Sequence, residues 1–146
     1  MTATTTDLTA PSRTPLIAAL GVAAASLLTA VGTFWALNDP KDAERKASDW
    51  FITLGMIAVV AALAYGLGVR GAESGNPGRR ALVLSVLGVL TIALFWSGAP
   101  MVLVSAAVAC ALTDKDRNRA FGTGSKVALA LSGLTTVAAV SLAVFG

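Results

Sequence analysis

Residues 81–112 read ALVLSVLGVLTIALFWSGAPMVLVSAAVACAL and carry no charge. As one helix, at 1.5 Å per residue, the run would be about 48 Å long, well beyond a ~30 Å hydrocarbon core. Ser97-Gly98-Ala99-Pro100 breaks it near the middle with residues that punctuate helices. The run is therefore read as a tight hairpin of two short spans, 81–97 and 99–112. The second, at about 21 Å, needs local thinning, a buried position or incomplete crossing. A re-entrant hairpin is the alternative for this pair.

Three further apolar runs accompany the hairpin. The first is 15–37, with Pro15 suited to a helix's first turn and Asn38-Asp39-Pro40 to its end. The second is 50–69, with Ser48 or Asp49 as N-cap. The last is 123–145. Residues 1–14 are polar and threonine-rich, and read as a short disordered cytoplasmic tail. A cleaved signal peptide fits poorly: Asp7 lies where a basic leader belongs, and the apolar run is too long. Between the runs, Pro40-Lys-Asp-Ala-Glu-Arg-Lys can form a short surface helix. Residues 70–80, with Gly71, Gly75, Pro77 and Gly78, read as a flexible loop, and 113–119 as a compact charged loop.

The chain is 55% hydrophobic and 13% charged, so a soluble domain of its 146 residues would lack polar surface to cover its core. The expected fold is all-α: a polytopic transmembrane helix bundle of five spans, without a soluble domain. Charge orients it. With five spans, one side holds Arg13, Arg70, Arg79, Arg80, Lys115, Arg117, Arg119 and Lys126, against Lys41, Arg45 and Lys46 on the other. Positive residues collect in the cytoplasm, which puts the N-terminus inside and the C-terminus outside. Treating 81–112 as one span gives a weaker division, seven against four. The net charge of +3 thus reflects topology, and no nucleic-acid patch with interleaved aromatics is visible.

Every tryptophan lies in an aromatic doublet: Phe34-Trp35, Trp50-Phe51 and Phe95-Trp96. In the five-span topology all three doublets fall at the outer interface, where indole rings favour the headgroup level. They form an anchoring belt, or converge as an outer aromatic rim for a lipid, a quinone head group or a partner helix. Small residues supply candidate packing stripes, because helices in lipid associate where backbones approach closely. These are Gly21, Ala25 and Thr29 in the first span, Ala58, Ala62 and Gly66 in the second, and Gly124, Ala128 and Ser132 in the last.

Chemistry is sparse. Histidine is absent, and no Asp, Glu, Lys or Arg lies within a span beyond Lys126 in the first turn of the last, which disfavours ion-coupled transport and acid–base catalysis. Cys110, the one cysteine, reads as a small buried hydrophobe. Asp114-Lys115-Asp116 reads as solvated charge rather than a metal pair, and Gly122-x-Gly124 lacks the strand–helix context of a nucleotide loop. No enzyme, cofactor or metal is expected. The expected function is a non-enzymatic accessory or scaffolding subunit that binds membrane lipid, other membrane proteins or itself. The alternative is a small oligomeric pore or facilitator for a small solute.

From Arg79 onward the chain has a basic start, an apolar helix to Phe95-Trp96, the Ser97–Pro100 hairpin, a second apolar run, a charged loop and a last helix. This half resembles small multi-pass membrane proteins of unknown function from high-GC Gram-positive bacteria. The resemblance implies a bacterial cytoplasmic membrane and no particular activity.

Overall fold

The computed structural model describes residues 13–34 and 40–145, with the side chains of 32–34, 40–45, 73, 95–96 and 143 outside that description. The described residues are helical and contain no strand. In chain order the elements are α1 (Thr14–Phe34), α2 (Pro40–Leu63), a π-helical segment (Ala64–Val69), α3 (Arg70–Ser74), α4 (Pro77–Leu90), a 3₁₀ segment (Thr91–Ser97), α5 (Ala99–Asn118) and α6 (Thr123–Phe145). Four stretches are long and apolar enough to cross a membrane: Thr14–Val31, Lys46–Ala72, Pro77–Leu94 and Thr123–Leu142.

Two expected connectors are helical instead. Residues 41–49 continue directly into the second apolar run, so the helix starts at Pro40 and not at a Ser48 or Asp49 cap. Lysine, alanine, glutamate and arginine are good helix formers, and no glycine or proline interrupts them before Gly55. Thr53 Oγ1 bonds the Asp49 carbonyl one turn back, as in a helix interior. At the other end, α2, the π segment and α3 form one helical rod of about 50 Å. Only Gly75 and Asn76 separate it from α4, so 70–80 is no flexible loop. Arg80 explains the ordering. Its Nη1 donates to the carbonyls of Leu67 (3.0 Å) and Gly68 (3.4 Å), in the π segment. A Cβ on Gly71 would collide with that guanidinium and displace it from these carbonyls.

The fourth run also extends further than the sequence suggests. α5 continues through Asn118, absorbing most of the expected 113–119 loop, and is about 30 Å long. Lys115 and Arg117 in its last turn favour the negative helix end. Arg119 then takes a left-handed conformation (φ 56°) that stops the helix.

α5 is the bundle's centre. Val102, Ala106, Ala107, Ala109, Cys110 and Ala111 are buried, and meet Ala25 of α1, Ile57 of α2, Ala64 and Val69 of the π segment, Ala81 and Leu84 of α4 and Ala128 of α6. Alanine dominates because short side chains let helix backbones approach closely. Outward, Leu16, Leu20 and Leu27 on α1, Phe51, Ile52 and Val59 on α2, and Leu134 and Val137 on α6 are each at least 60% exposed. So large apolar side chains cover the outside and small ones fill the inside, the reverse of a water-soluble helix bundle.

The turn between α4 and α5 is buried. Ser97 Oγ donates to the Leu94 carbonyl (2.6 Å) and accepts from Ala99 N–H (3.3 Å), so the polar groups are satisfied locally. Gly98 has φ +70°, and a Cβ there would lie 2.8 Å from Ile57 Cδ1 and 3.2 Å from Ala25 Cβ. Ala25 and Ile57 are mid-helix positions. The hairpin tip is therefore covered by α1 and α2.

Candidate functional site

The polar chemistry of the described residues gathers where α4 and α6 begin and α5 ends. Asn76 caps α4, its Oδ1 accepting from Arg79 N–H (3.1 Å), and Pro77 occupies the first turn. The start of α6 crosses the start of α4 through glycines: a Cβ on Gly124 would lie 3.0 Å from the Gly78 carbonyl oxygen. Into this crossing α5 delivers Asp114, 4% exposed.

Asp114 is fully engaged. Its Oδ2 accepts from Ser125 Oγ–H (2.5 Å) and Gly122 N–H (3.0 Å), and its Oδ1 from Asn118 Nδ2 (2.8 Å). The Ser125 hydrogen bond, helped by Gly122 and Asn118, lowers the carboxyl's pKa from its ordinary value despite the opposing effect of burial. A carboxylate at the α6 N-terminus also complements the helix dipole. A Cβ on Gly122 would stand 3.0 Å from Oδ2, a tight contact that the carboxylate would have to shift to accommodate. Nearby, Lys115 Nζ lies 5.3 Å from the centroid of the Phe121 ring, closing the α5–α6 turn.

Beside this knot is an open cleft of about 650 Å³, lined by Asn76, Arg79, Asp114, Arg117, Asn118 and Thr123, with glycines between them. Arg117 Nη1 donates to the Gly75 carbonyl (2.8 Å), which ties α5 to the end of the α2–α3 rod. Arg79 and Arg117 thus border a cleft whose carboxylate already accepts three hydrogen bonds. The cleft can accept an anion with hydrogen-bonding oxygens. Among the described residues no group of histidine, cysteine, aspartate and glutamate side chains could hold a metal.

No protein-family model, curated protein or solved structure gives a significant match to this chain.

Of the expected aromatic rim, only Trp50 and Phe51 have described side chains. Their rings are tilted at 56° with centroids 5.6 Å apart, and Phe51 is 66% exposed. Trp35 and the side chains of Phe34, Phe95 and Trp96 lie outside the described residues, so convergence of the doublets does too. The packing stripes divide. Ala25 and Thr29 are buried on α1, and a Cβ on Gly21 would collide with Ser105 Oγ of α5. Ser105 also accepts a hydrogen bond from Tyr65 Oη (2.8 Å) and donates one to the Val102 carbonyl. On α6, Gly124 meets α4, and Ala128 and Ser132 are buried. The α2 stripe is turned away: Ala58, Ala62 and Gly66 are all exposed, and a Cβ on Gly66 would touch nothing. The rod's inner face is built instead from Ile57, Ala64, Val69 and Ala72, with Tyr65 half-buried. The π segment begins only at Ala64, so of the three stripe residues it shifts the register of Gly66 alone.

Asp114 and Asp116, adjacent in an Asp-x-Asp pattern, separate completely: one is buried and saturated, the other exposed. Ser125 and Arg80 carry no local sequence signal. The one legible hint was glycine: Gly78, Gly122 and Gly124 flank basic segments near helix starts.

Proposed function

We propose that this chain is a non-enzymatic integral protein of a bacterial cytoplasmic membrane, an accessory or scaffolding subunit that binds lipid or other membrane proteins. Partition of its side chains carries the reading. Small residues close the interior around α5, while leucine, isoleucine, valine and phenylalanine face outward on α1, α2 and α6. Five helical passes, with the N-terminus cytoplasmic and the C-terminus outside, account for the distribution of eight cations against three. The ends of α1, α5 and α6 that carry Arg13, Arg117 and Lys126 belong to one face in this topology. Arg13 and Thr14 line a crevice with Thr113 and Asp116, which agrees with it. The exposed Ala58, Ala62 and Gly66 line on α2 offers a partner helix a close approach.

Two measurements test this reading. Cys110 is buried, so single cysteines introduced at Ser48 and Ser74 report the two sides. An impermeant maleimide added to intact cells is expected to label Ser48→Cys and to spare Ser74→Cys; the reverse pattern overturns the orientation. Purification in mild detergent is expected to retain a stoichiometric membrane-protein partner or lipid. A bare monomer would count against a scaffolding role.

A further inference from the structure

A second, smaller groove adjoins the polar cleft. It has a volume of about 430 Å³ and is lined by Gly68, Arg80, Val83 and Leu84, together with Gly75, Asn76 and Arg79. The last three also line the polar cleft, so the two spaces are contiguous. Their characters differ. The cleft has guanidinium groups, asparagine side chains and two helix starts. The groove runs between the π segment and α4, where Gly68 packs against Leu84 and Val83 is exposed. Such a surface, cationic at its mouth and apolar along its length, matches an amphipathic anion.

We propose that the cleft and groove together seat one anionic glycerophospholipid, its phosphate at Arg79 and the starts of α4 and α6, and one acyl chain along Val83 and Leu84. The inference rests on the membrane reading above, and commits its lipid arm to a definite place. Arginine is suited to the phosphate, because its planar fork makes paired hydrogen bonds to phosphate oxygens. The starts of α4 and α6 add partial positive charge. Asp114 keeps its charge beside the cleft, but it is 4% exposed and both its oxygens are turned to donors within the protein. Arg80 is fixed on the Leu67 and Gly68 carbonyls and keeps a permanent charge on the groove wall. In the proposed topology the mouth lies at the cytoplasmic headgroup level, and the groove runs inward towards hydrocarbon.

The test is native mass spectrometry of the full chain in mild detergent, with phosphatidylglycerol and phosphatidylcholine of identical acyl chains supplied in equal amounts. The wild type is expected to retain phosphatidylglycerol over phosphatidylcholine by about fivefold or more, as electrostatic lipid selection predicts. Arg79→Glu is expected to bring the two lipids to parity. Lys126→Glu, an equal charge change at the same end but outside the cleft, is expected to leave the preference intact. Arg79→Gln, a milder change at an exposed position, replaces Arg79→Glu if the latter elutes abnormally or loses helical circular dichroism. Equal retention of both lipids by the wild type overturns the proposal. So does equal loss in the Arg79 and Lys126 variants, which would mean general surface charge. Complete displacement of lipid by inorganic phosphate would mean a phosphate-ion site without an acyl groove, and also overturns it. Retention of the chain in alkali-washed membranes is scored separately: failure there sinks the membrane reading, whereas success without lipid selection sinks only this inference.

Discussion

The two ends of α5 are stabilised by opposite means. At its start, Ser97 satisfies the turn's polar groups locally, and Gly98 is wedged against Ile57 and Ala25 with no space for one more carbon. At its end, Asp114 draws donors from α5 itself, from the α5–α6 turn and from α6, and an open cleft lies alongside. The first end is a steric fit and tolerates almost no change of shape. The second is an electrostatic knot, sensitive to charge and pH, and it leaves room for a ligand. In a membrane this division is sensible: a turn buried among apolar helices has no water to fall back on, whereas the charged end meets the aqueous interface.

The largest effect is expected at the steric end. Gly98→Val forces a β-branched residue to φ +70° and drives it into Ile57, at a combined cost of about 3 kcal/mol or more. Thermal unfolding in detergent should show a large loss, and near-wild-type stability would mean that the turn is loose. Asp114→Ala should cost about 2–3 kcal/mol, because it strands the buried Ser125 hydroxyl and the Gly122 N–H. If Asp114→Ala were the more damaging of the two, the comparison would be inverted.

A pH series separates the ends more finely. The Asp114 pKa is lower in the folded chain than in the unfolded one, so its contribution is complete above the unfolded value of about 3.9. It is lost as pH falls through the folded value. Denaturant midpoints should therefore drop below about pH 4 in the wild type, by more than in Asp114→Ala, while Gly98→Val keeps the full drop. Equal pH dependence in wild type and Asp114→Ala would show that the knot is not what titrates.

The smallest effects contrast two glycines that look alike in sequence. Gly21→Ala should cost about 1–3 kcal/mol, because its Cβ meets Ser105 on α5. Gly66→Ala meets nothing and should be neutral or stabilising by up to about 1 kcal/mol. Should Gly66→Ala instead lower stability, or break up an oligomer on size-exclusion chromatography, the outward face of α2 is itself a contact surface.

The helix class, the break at Ser97–Pro100, and the extents of α1 and α6 near Thr14 and Phe145 were legible because each depends on local composition. An uninterrupted apolar run must be helical in lipid, and a Ser-Gly-Ala-Pro sequence interrupts it. The inward stripe on α1, Gly21–Ala25–Thr29, also follows from spacing alone. The candidate site was far less legible. Ser125, Asn118 and Gly122 act on Asp114 from within and beyond α5, and Arg80 bonds carbonyls twelve and thirteen residues earlier. Which face of α2 turns inward was likewise decided by packing, since the run is apolar on all sides and spacing alone does not choose between the Ile57–Ala64 face and the Ala58–Ala62 face. Composition and spacing determine whether a segment is helical and apolar, because those are properties of neighbouring residues. Burial of Asp114, closure of the hairpin tip on Ala25 and Ile57, and the contiguity of cleft and groove depend on how separate helices pack. Only the assembled bundle brings those distant atoms within contact.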